Sequence, residues 1–164
     1  ASAFIAGLIL LPGSVLNGLG QPIYGWMLDR FGGKLPLYLG NSLFLVPIVI
    51  MMVMGQQMSV LVITILYTVY ATGRSMAFGN SMAYGLKHLP KDEQKDANAI
   101  YGTGNMLAGS LGTTVIATMM TSVHIYTLSY VQNIVVGSRL AFAMLALLGV
   151  VNFFLFRRLF KSSK

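Results

Sequence analysis

Apolar residues fall into five long runs, and none of the runs alternates regularly between apolar and polar positions. A helix needs about 20 mainly apolar residues to cross a bilayer. A membrane β-strand would instead alternate over about 10 residues, and the run over residues 43–54 does not. The pattern therefore predicts an all-α, polytopic membrane protein with about five transmembrane helices. The predicted spans are about 3–28, 35–54, 58–86, 97–120 and 140–156.

The composition excludes an ordinary soluble domain. Only 9% of the 164 residues are charged and 55% are hydrophobic, whereas soluble domains carry about 25% charged residues. A mean hydropathy of +0.72 also excludes a disordered chain. Because the sequence has no cysteine, disulfides and cysteine metal sites are absent.

The basic residues lie mostly on one side of the predicted spans, which indicates topology rather than nucleic-acid binding despite the net charge of +7. By the positive-inside rule this side is cytoplasmic. We therefore expect a multi-pass cell-membrane protein with a cytoplasmic C-terminus, an outer N-terminus and at least one earlier helix missing. Arg139 alone falls on the other side, and Arg74 lies inside the third span. The cytoplasmic set is Arg30, Lys34, Lys87, Lys91, Lys95, Arg157, Arg158, Lys161 and Lys164.

The connection between the first two spans carries the most specific string, Gly-Trp-Met-Leu-Asp-Arg-Phe-Gly-Gly-Lys, from position 25 to 34. Gly25 lets a neighbouring helix approach closely, and Asp29 can cap a helix N-terminus. Arg30 and Lys34 are basic anchors, while Gly32 and the glycine after it permit a tight reversal. On residue types alone, a charged turn that obeys the positive-inside rule explains the string equally well.

This string resembles the cytoplasmic-loop signature of the major facilitator superfamily, G-x-L-A-D-R-x-G-R-K. The signature occurs between helices two and three of that family and, in weaker form, in the second half. The loss of the usual Arg at Gly33 favours the second-half copy, and Met27 and Leu28 also depart from the usual Leu and Ala. The matching positions are Gly25, Asp29, Arg30, Gly32 and Lys34.

Further segments resemble multidrug exporters, in particular the fourteen-helix drug:proton antiporter branch. The resemblance places residues 1–164 as the last five helices of a C-terminal six-helix domain, with the N-terminal half absent. The segments that carry it are Leu10–Gly13 with Gly18, Gly20, Pro22 and Gly25, then 73–86, 88–90, 98–99 and 107–112.

Small residues recur at four-residue intervals in the fourth span, at Gly104, Ala108 and Gly112. This spacing lets helix backbones pack closely in lipid. It predicts packing against another helix of the same chain, with a homodimer face as the alternative.

The third span presents one polar and aromatic stripe at helical spacing, formed by Tyr67, Tyr70, Arg74, Phe78 and Ser81. A charge inside a membrane usually faces a cavity or a partner, so the stripe is a candidate wall of a substrate path. Alternatively, Arg74 pairs structurally with another helix or snorkels towards the interface. Asn105 is a further candidate for the cavity, whereas asparagines such as Asn41 and Asn152 are expected to hydrogen-bond between helices.

No constellation of residues supports catalysis, a metal or a cofactor, so we expect no enzyme. The four acids lie at or outside the cytoplasmic interface, and Asp96 is expected to cap the fourth helix. The acids are Asp29, Asp92, Glu93 and Asp96.

The resemblance implies a multidrug efflux permease that exchanges drugs for protons by alternating access. Its partners would be the lipid bilayer, the N-terminal half of the same transporter, a small organic substrate and protons, with no nucleic acid. The alternative is a small oligomeric membrane scaffold without transport activity of its own, assembled through the face at positions 104–112.

Overall fold

Five long helices dominate residues 3–162, the part of the chain that the structure, a computed structural model, describes. No strand occurs in this range, which confirms the predicted all-α class. The helices are α1 (Ala3–Phe31), α2 (Lys34–Met54), α3 (Val60–Lys87), α4 (Gln94–Thr121) and α5 (Tyr130–Ser162), with a 3-10 turn at Gly55–Gln57.

Four of these helices, α1, α2, α3 and α5, are long and apolar enough to cross a membrane. The fourth helix, α4, has 28 residues, which is long enough at about 1.5 Å per residue. Its glycine, serine, threonine and asparagine residues, however, lower its hydropathy. A fifth transmembrane span therefore stays a prediction.

Helix α5 begins at Tyr130, ten residues before the predicted start at 140. Its first turn is closed by a capping box: the Gln132 N–H donates to Ser129 Oγ at 3.3 Å, and the Ser129 N–H donates to Gln132 Oε1 at 2.9 Å. The apolar pattern did not predict this early start, because polar side chains interrupt the apolar run between Tyr130 and Arg139.

The predicted cap of α4 is also wrong. Glu93 occupies the N-cap position without a side-chain cap hydrogen bond, and Asp96 lies inside the first helical turn. There the carboxylate of Asp96 is still favoured by the helix dipole. Gln94 secures the turn instead, since its Nε2 donates to the Leu89 carbonyl at 3.1 Å.

One end of the bundle collects most of the positive charge. Helices α1, α3 and α5 end there, and α2 and α4 begin there, as the ion pair between Asp29 and Lys87 and the ring contact between Tyr84 and Phe160 show. We call it the basic end. Within the described residues it carries Arg30, Lys34, Lys87, Lys91, Lys95, Arg157, Arg158 and Lys161.

Helices α2 and α3 cross in direct backbone contact. A Cβ atom at Gly73 would overlap the backbone nitrogen of Phe44 and lie 2.7 Å from the Gly40 carbonyl oxygen. A Cβ atom at Gly40 would in turn lie 2.7 Å from the Ala77 nitrogen. These glycines, rather than those of α4, form the close helix crossing, and sequence spacing did not reveal them.

The small-residue face of α4 has no partner within the described chain. A Cβ atom at Gly104 or Gly112 would meet nothing within 4 Å, and Ala108 is exposed. The described residues therefore supply no partner for this face, and its packing against another helix stays a prediction. Helix α4 instead makes close contacts near its two ends, where Tyr101 lies against Gly85 and Met119 and Met120 lie against Gly137.

A buried amide joins α2 to α5. Asn41 is 1% exposed, and its Nδ2 donates to the Gly149 carbonyl at 3.0 Å. This is the helix-joining contact expected of an asparagine in a transmembrane segment. It holds α5 beside the part of α2 that faces Arg74.

Candidate functional site: a groove beside Arg74 and the α1–α2 connection

Arg74 lies near the middle of α3, roughly 20 Å from either end at about 1.5 Å per residue. Its side chain is exposed, and in residues 3–162 the sole ion pair joins Lys87 to Asp29. An arginine side chain is shorter than this distance, so the guanidinium does not reach either end of α3. The described chain therefore leaves a free guanidinium at the centre of a membrane helix.

A cavity of about 210 Å³ lies beside Arg74, between α2, α3 and α5. We call it the Arg74 groove. It combines one cation with two amides, a hydroxyl and two aromatic rings, a lining able to hold a flat organic compound by ring contacts and hydrogen bonds. Its lining residues are Asn41, Phe44, Arg74, Ala77, Phe78, Ser81 and Asn152.

The structure divides the predicted stripe. Phe78 and Ser81 join Arg74 in the groove, but Tyr67 and Tyr70 do not line it. The Tyr67 ring packs on α1, where a Cβ atom at Gly13 would lie 3.0 Å from its Cε1, and the Tyr70 ring lies 5.3 Å from that of Phe44. Because α1 and α2 both pack on α3, they cover this part of its face.

Two asparagine amides line the groove, but neither belongs to Asn105, the asparagine predicted to do so. Asn105 is exposed on α4 and does not line the groove. Asn41 and Asn152 line it instead, and Asn41 also makes the predicted hydrogen bond between helices, to the Gly149 carbonyl. Their position inside apolar runs was the available signal, but it does not distinguish a groove from a helix interface.

In the last turn of α1, Asp29 forms an ion pair and does not cap a helix. Its Oδ1 lies 2.5 Å from Lys87 Nζ at the end of α3. The predicted capping role is wrong, since Gly33 stands at the N-cap of α2 and no side-chain hydrogen bond closes that turn. Arg30 lies over the Trp26 ring, with its Cζ 5.2 Å from the ring centroid.

Two glycines make the reversal before Lys34, the first residue of α2. Gly32 has φ +71°, in the left-handed region that favours glycine. Gly33 is buried, and a Cβ atom there would overlap the Tyr84 ring on α3, which explains why the usual arginine of the signature does not fit. Gly25 differs, since a Cβ atom there would meet nothing within 4 Å, so no described helix approaches it closely and the predicted approach stays a prediction.

Because this connection resembles that of a transporter family, we expect the pair of Asp29 and Lys87 to matter more for transport than for folding. Both side chains are more than half exposed, so breaking the pair should cost only about 0–1 kcal/mol of stability. The pair nevertheless ties the end of α1 to the end of the helix that carries Arg74. Asp29→Ala and Lys87→Gln should therefore lower transport severalfold at normal expression of the full-length protein.

The exchange variant Asp29→Lys with Lys87→Asp should recover part of that transport, because it restores the pair in reverse. Asp92→Asn, which removes an acid outside any described ion pair, is the matched control. Uptake by inverted vesicles at equal protein level measures the effect. An exchange variant no better than either single variant would show that the two residues act separately.

The five-helix bundle, its membrane-length apolar helices and its charged connection define a segment of a polytopic helical membrane protein. The chain belongs to the Major Facilitator Superfamily, whose family model matches residues 1–164. This membership confirms the resemblance drawn from the connection between the first two spans.

Several bacterial proteins are similar to the chain. It is 35% identical over 121 residues to a lincomycin resistance protein, LmrB, of Listeria monocytogenes, covering 74% of this chain and 26% of that protein. It is 31% identical to the LmrB of Bacillus subtilis, covering 80% and 28%. An uncharacterised MFS-type transporter of Bacillus subtilis, YcnB, is 30% identical, covering 94% and 33%. The chain thus spans about a quarter to a third of these relatives' length, and no solved structure gives a significant match.

Proposed function

We propose that the chain is the C-terminal part of a multidrug efflux permease and that the Arg74 groove forms part of its substrate path. The unpaired guanidinium of Arg74 carries the proposal. An arginine at the centre of a membrane helix is costly, and no acid of the described chain pairs with it. The similarity to proteins named for lincomycin resistance supports an organic drug as the substrate class.

The proposed mechanism is alternating access, in which this bundle and an N-terminal half rock about a site between them. The groove would supply one wall of that site. The four acids of the chain all lie outside the apolar part of the spans, so the carboxylate that carries protons would belong to the N-terminal half. Arg74 would then interact with that carboxylate or with the substrate.

Transport by the full-length protein in inverted membrane vesicles tests the proposal. Lincomycin or a fluorescent drug should accumulate in the vesicles when a proton gradient is imposed. Accumulation should stop when a protonophore collapses the gradient. Drug movement that is indifferent to the gradient would reject proton antiport, and no movement of any compound in a drug panel would reject efflux.

We propose further that the basic end faces the cytoplasm, which places the C-terminus inside the cell. The one-sided distribution of lysine and arginine supports this orientation. The sequence lacks cysteine, so single cysteines at Lys91 and Thr127, both exposed, can be labelled in intact cells. An impermeant reagent should label position 127 and not position 91, and the reverse pattern would invert the orientation.

Membership of the superfamily favours the transporter over the small oligomeric scaffold. The exposed small-residue face of α4 would then meet the rest of the transporter rather than a second copy of this chain.

A further inference from the structure

A second cavity, of about 430 Å³, opens at the basic end between the start of α2 and the end of α5. We call it the basic pocket. Three of its lining side chains are cations and three are aromatic rings, and no acid lines it. The lining residues are Lys34, Tyr38, Phe153, Arg157, Phe160 and Lys161.

The cations of the basic pocket have no partner in residues 3–162. The ion pair of this range uses Asp29 and Lys87, and none of its side-chain hydrogen bonds involves Lys34, Arg157 or Lys161. Lys34 is also the first residue of α2, so the positive end of that helix dipole adds to the field. Three like charges gathered without a counterion favour an anionic ligand.

The aromatic walls and the membrane depth show which anion fits. The Tyr38 ring lies 5.1 Å from the Phe153 ring and 6.1 Å from the Phe160 ring, which builds a firm apolar wall below the cations. Leu39 and Phe154, which follow Tyr38 and Phe153 along the same two helices, are exposed and apolar, so both helices offer apolar surface to acyl chains. Lys34 and Arg157 stand at the ends of apolar runs, at the level of lipid headgroups.

We propose that the basic pocket binds the headgroup phosphate of an anionic phospholipid, such as phosphatidylglycerol, from the leaflet at the basic end. Pockets with clustered basic residues between membrane helices are suited to such headgroups. The lipid would bridge α2 and α5 from the outside of the bundle. This binding requires only that the helices cross the membrane. The lipid proposal can therefore be tested independently of drug transport.

Native mass spectrometry of the full-length protein in detergent, titrated with phosphatidylglycerol or phosphatidylcholine, tests the proposal. Phosphatidylglycerol should be retained in preference to phosphatidylcholine. The pocket variant Lys34→Gln, Arg157→Gln, Lys161→Gln should bind phosphatidylglycerol at least about tenfold more weakly, since each basic residue contributes severalfold at a membrane surface. Equal retention of the two lipids by the unaltered protein would overturn the proposal.

The matched control removes three positive charges from the same end but outside the pocket, as Lys91→Gln, Lys95→Gln, Arg158→Gln. It should bind phosphatidylglycerol within about twofold of the unaltered protein, since diffuse surface charge is screened by salt. Equal losses in both variants would show that the charge of the whole surface attracts the lipid and that the pocket does not.

Two further measurements exclude misfolding of the variant and binding of a free anion as explanations. If the triple variant no longer unfolds cooperatively, two single variants at adjacent positions make the same comparison. Arg157→Gln removes one charge from the pocket, and Arg158→Gln removes one charge outside it. Only Arg157→Gln should weaken the binding of phosphatidylglycerol. Millimolar inorganic phosphate should leave the bound phosphatidylglycerol in place. Displacement by phosphate would reassign the pocket to a soluble anion and overturn the lipid proposal.

Discussion

Gly73→Ala should destabilise the full-length protein by at least about 2 kcal/mol, although alanine forms helices better than glycine by about 1 kcal/mol. The added Cβ atom would overlap the Phe44 nitrogen and stand 2.5 Å from the Leu43 carbonyl carbon. These are backbone atoms of α2, so no side-chain rotation relieves the overlap. The helices must separate, and the Arg74 groove opens with them.

Thermal unfolding followed by fluorescence-detected size exclusion measures the loss. Gly79→Ala is the control on the same helix, since its Cβ atom would meet only Gln21 Oε1 at an ordinary 3.7 Å. That variant should be as stable as the unaltered protein or slightly more stable. Equal melting temperatures for the two variants would mean that α2 and α3 do not cross in backbone contact.

On the proposed function, Arg74→Leu should abolish most drug transport while leaving the protein folded. The side chain is exposed and makes no ion pair within the described chain, so its removal leaves no buried partner unsatisfied here. Loss of one charged contact to substrate should lower the rate about tenfold, which corresponds to about 1.4 kcal/mol. Transport in inverted vesicles at equal protein level measures it.

Arg74→Lys keeps the charge but loses the planar set of donors, so it should retain part of the transport or alter the range of drugs carried. Arg158→Leu, which removes an exposed positive charge at the basic end, should transport normally. A low yield of the Arg74→Leu protein would instead indicate a structural ion pair with the N-terminal half. Normal transport by both Arg74 variants would remove Arg74 from the substrate path.

The class of protein and its family both follow from the sequence. Hydropathy and charge are properties of short stretches of chain, so the all-α class, the basic end and the signature around Asp29 could all be read without knowing which helices are neighbours. The apolar pattern did not predict the early start of α5, because the first turns of this helix are polar. The capping box of Ser129 and Gln132 closes its first turn.

Which helices are neighbours depends on the tertiary structure, and so does the set of residues that form each candidate site. Glycines at helical spacing occur in both α3 and α4, yet only Gly73 meets a facing backbone, at Gly40. The partner of Asp29 is 58 residues away in Lys87, and the basic pocket joins Lys34 to Arg157 across the chain. Sequence spacing specifies which side chains share a helix face, but the neighbour across that face depends on how separate helices pack.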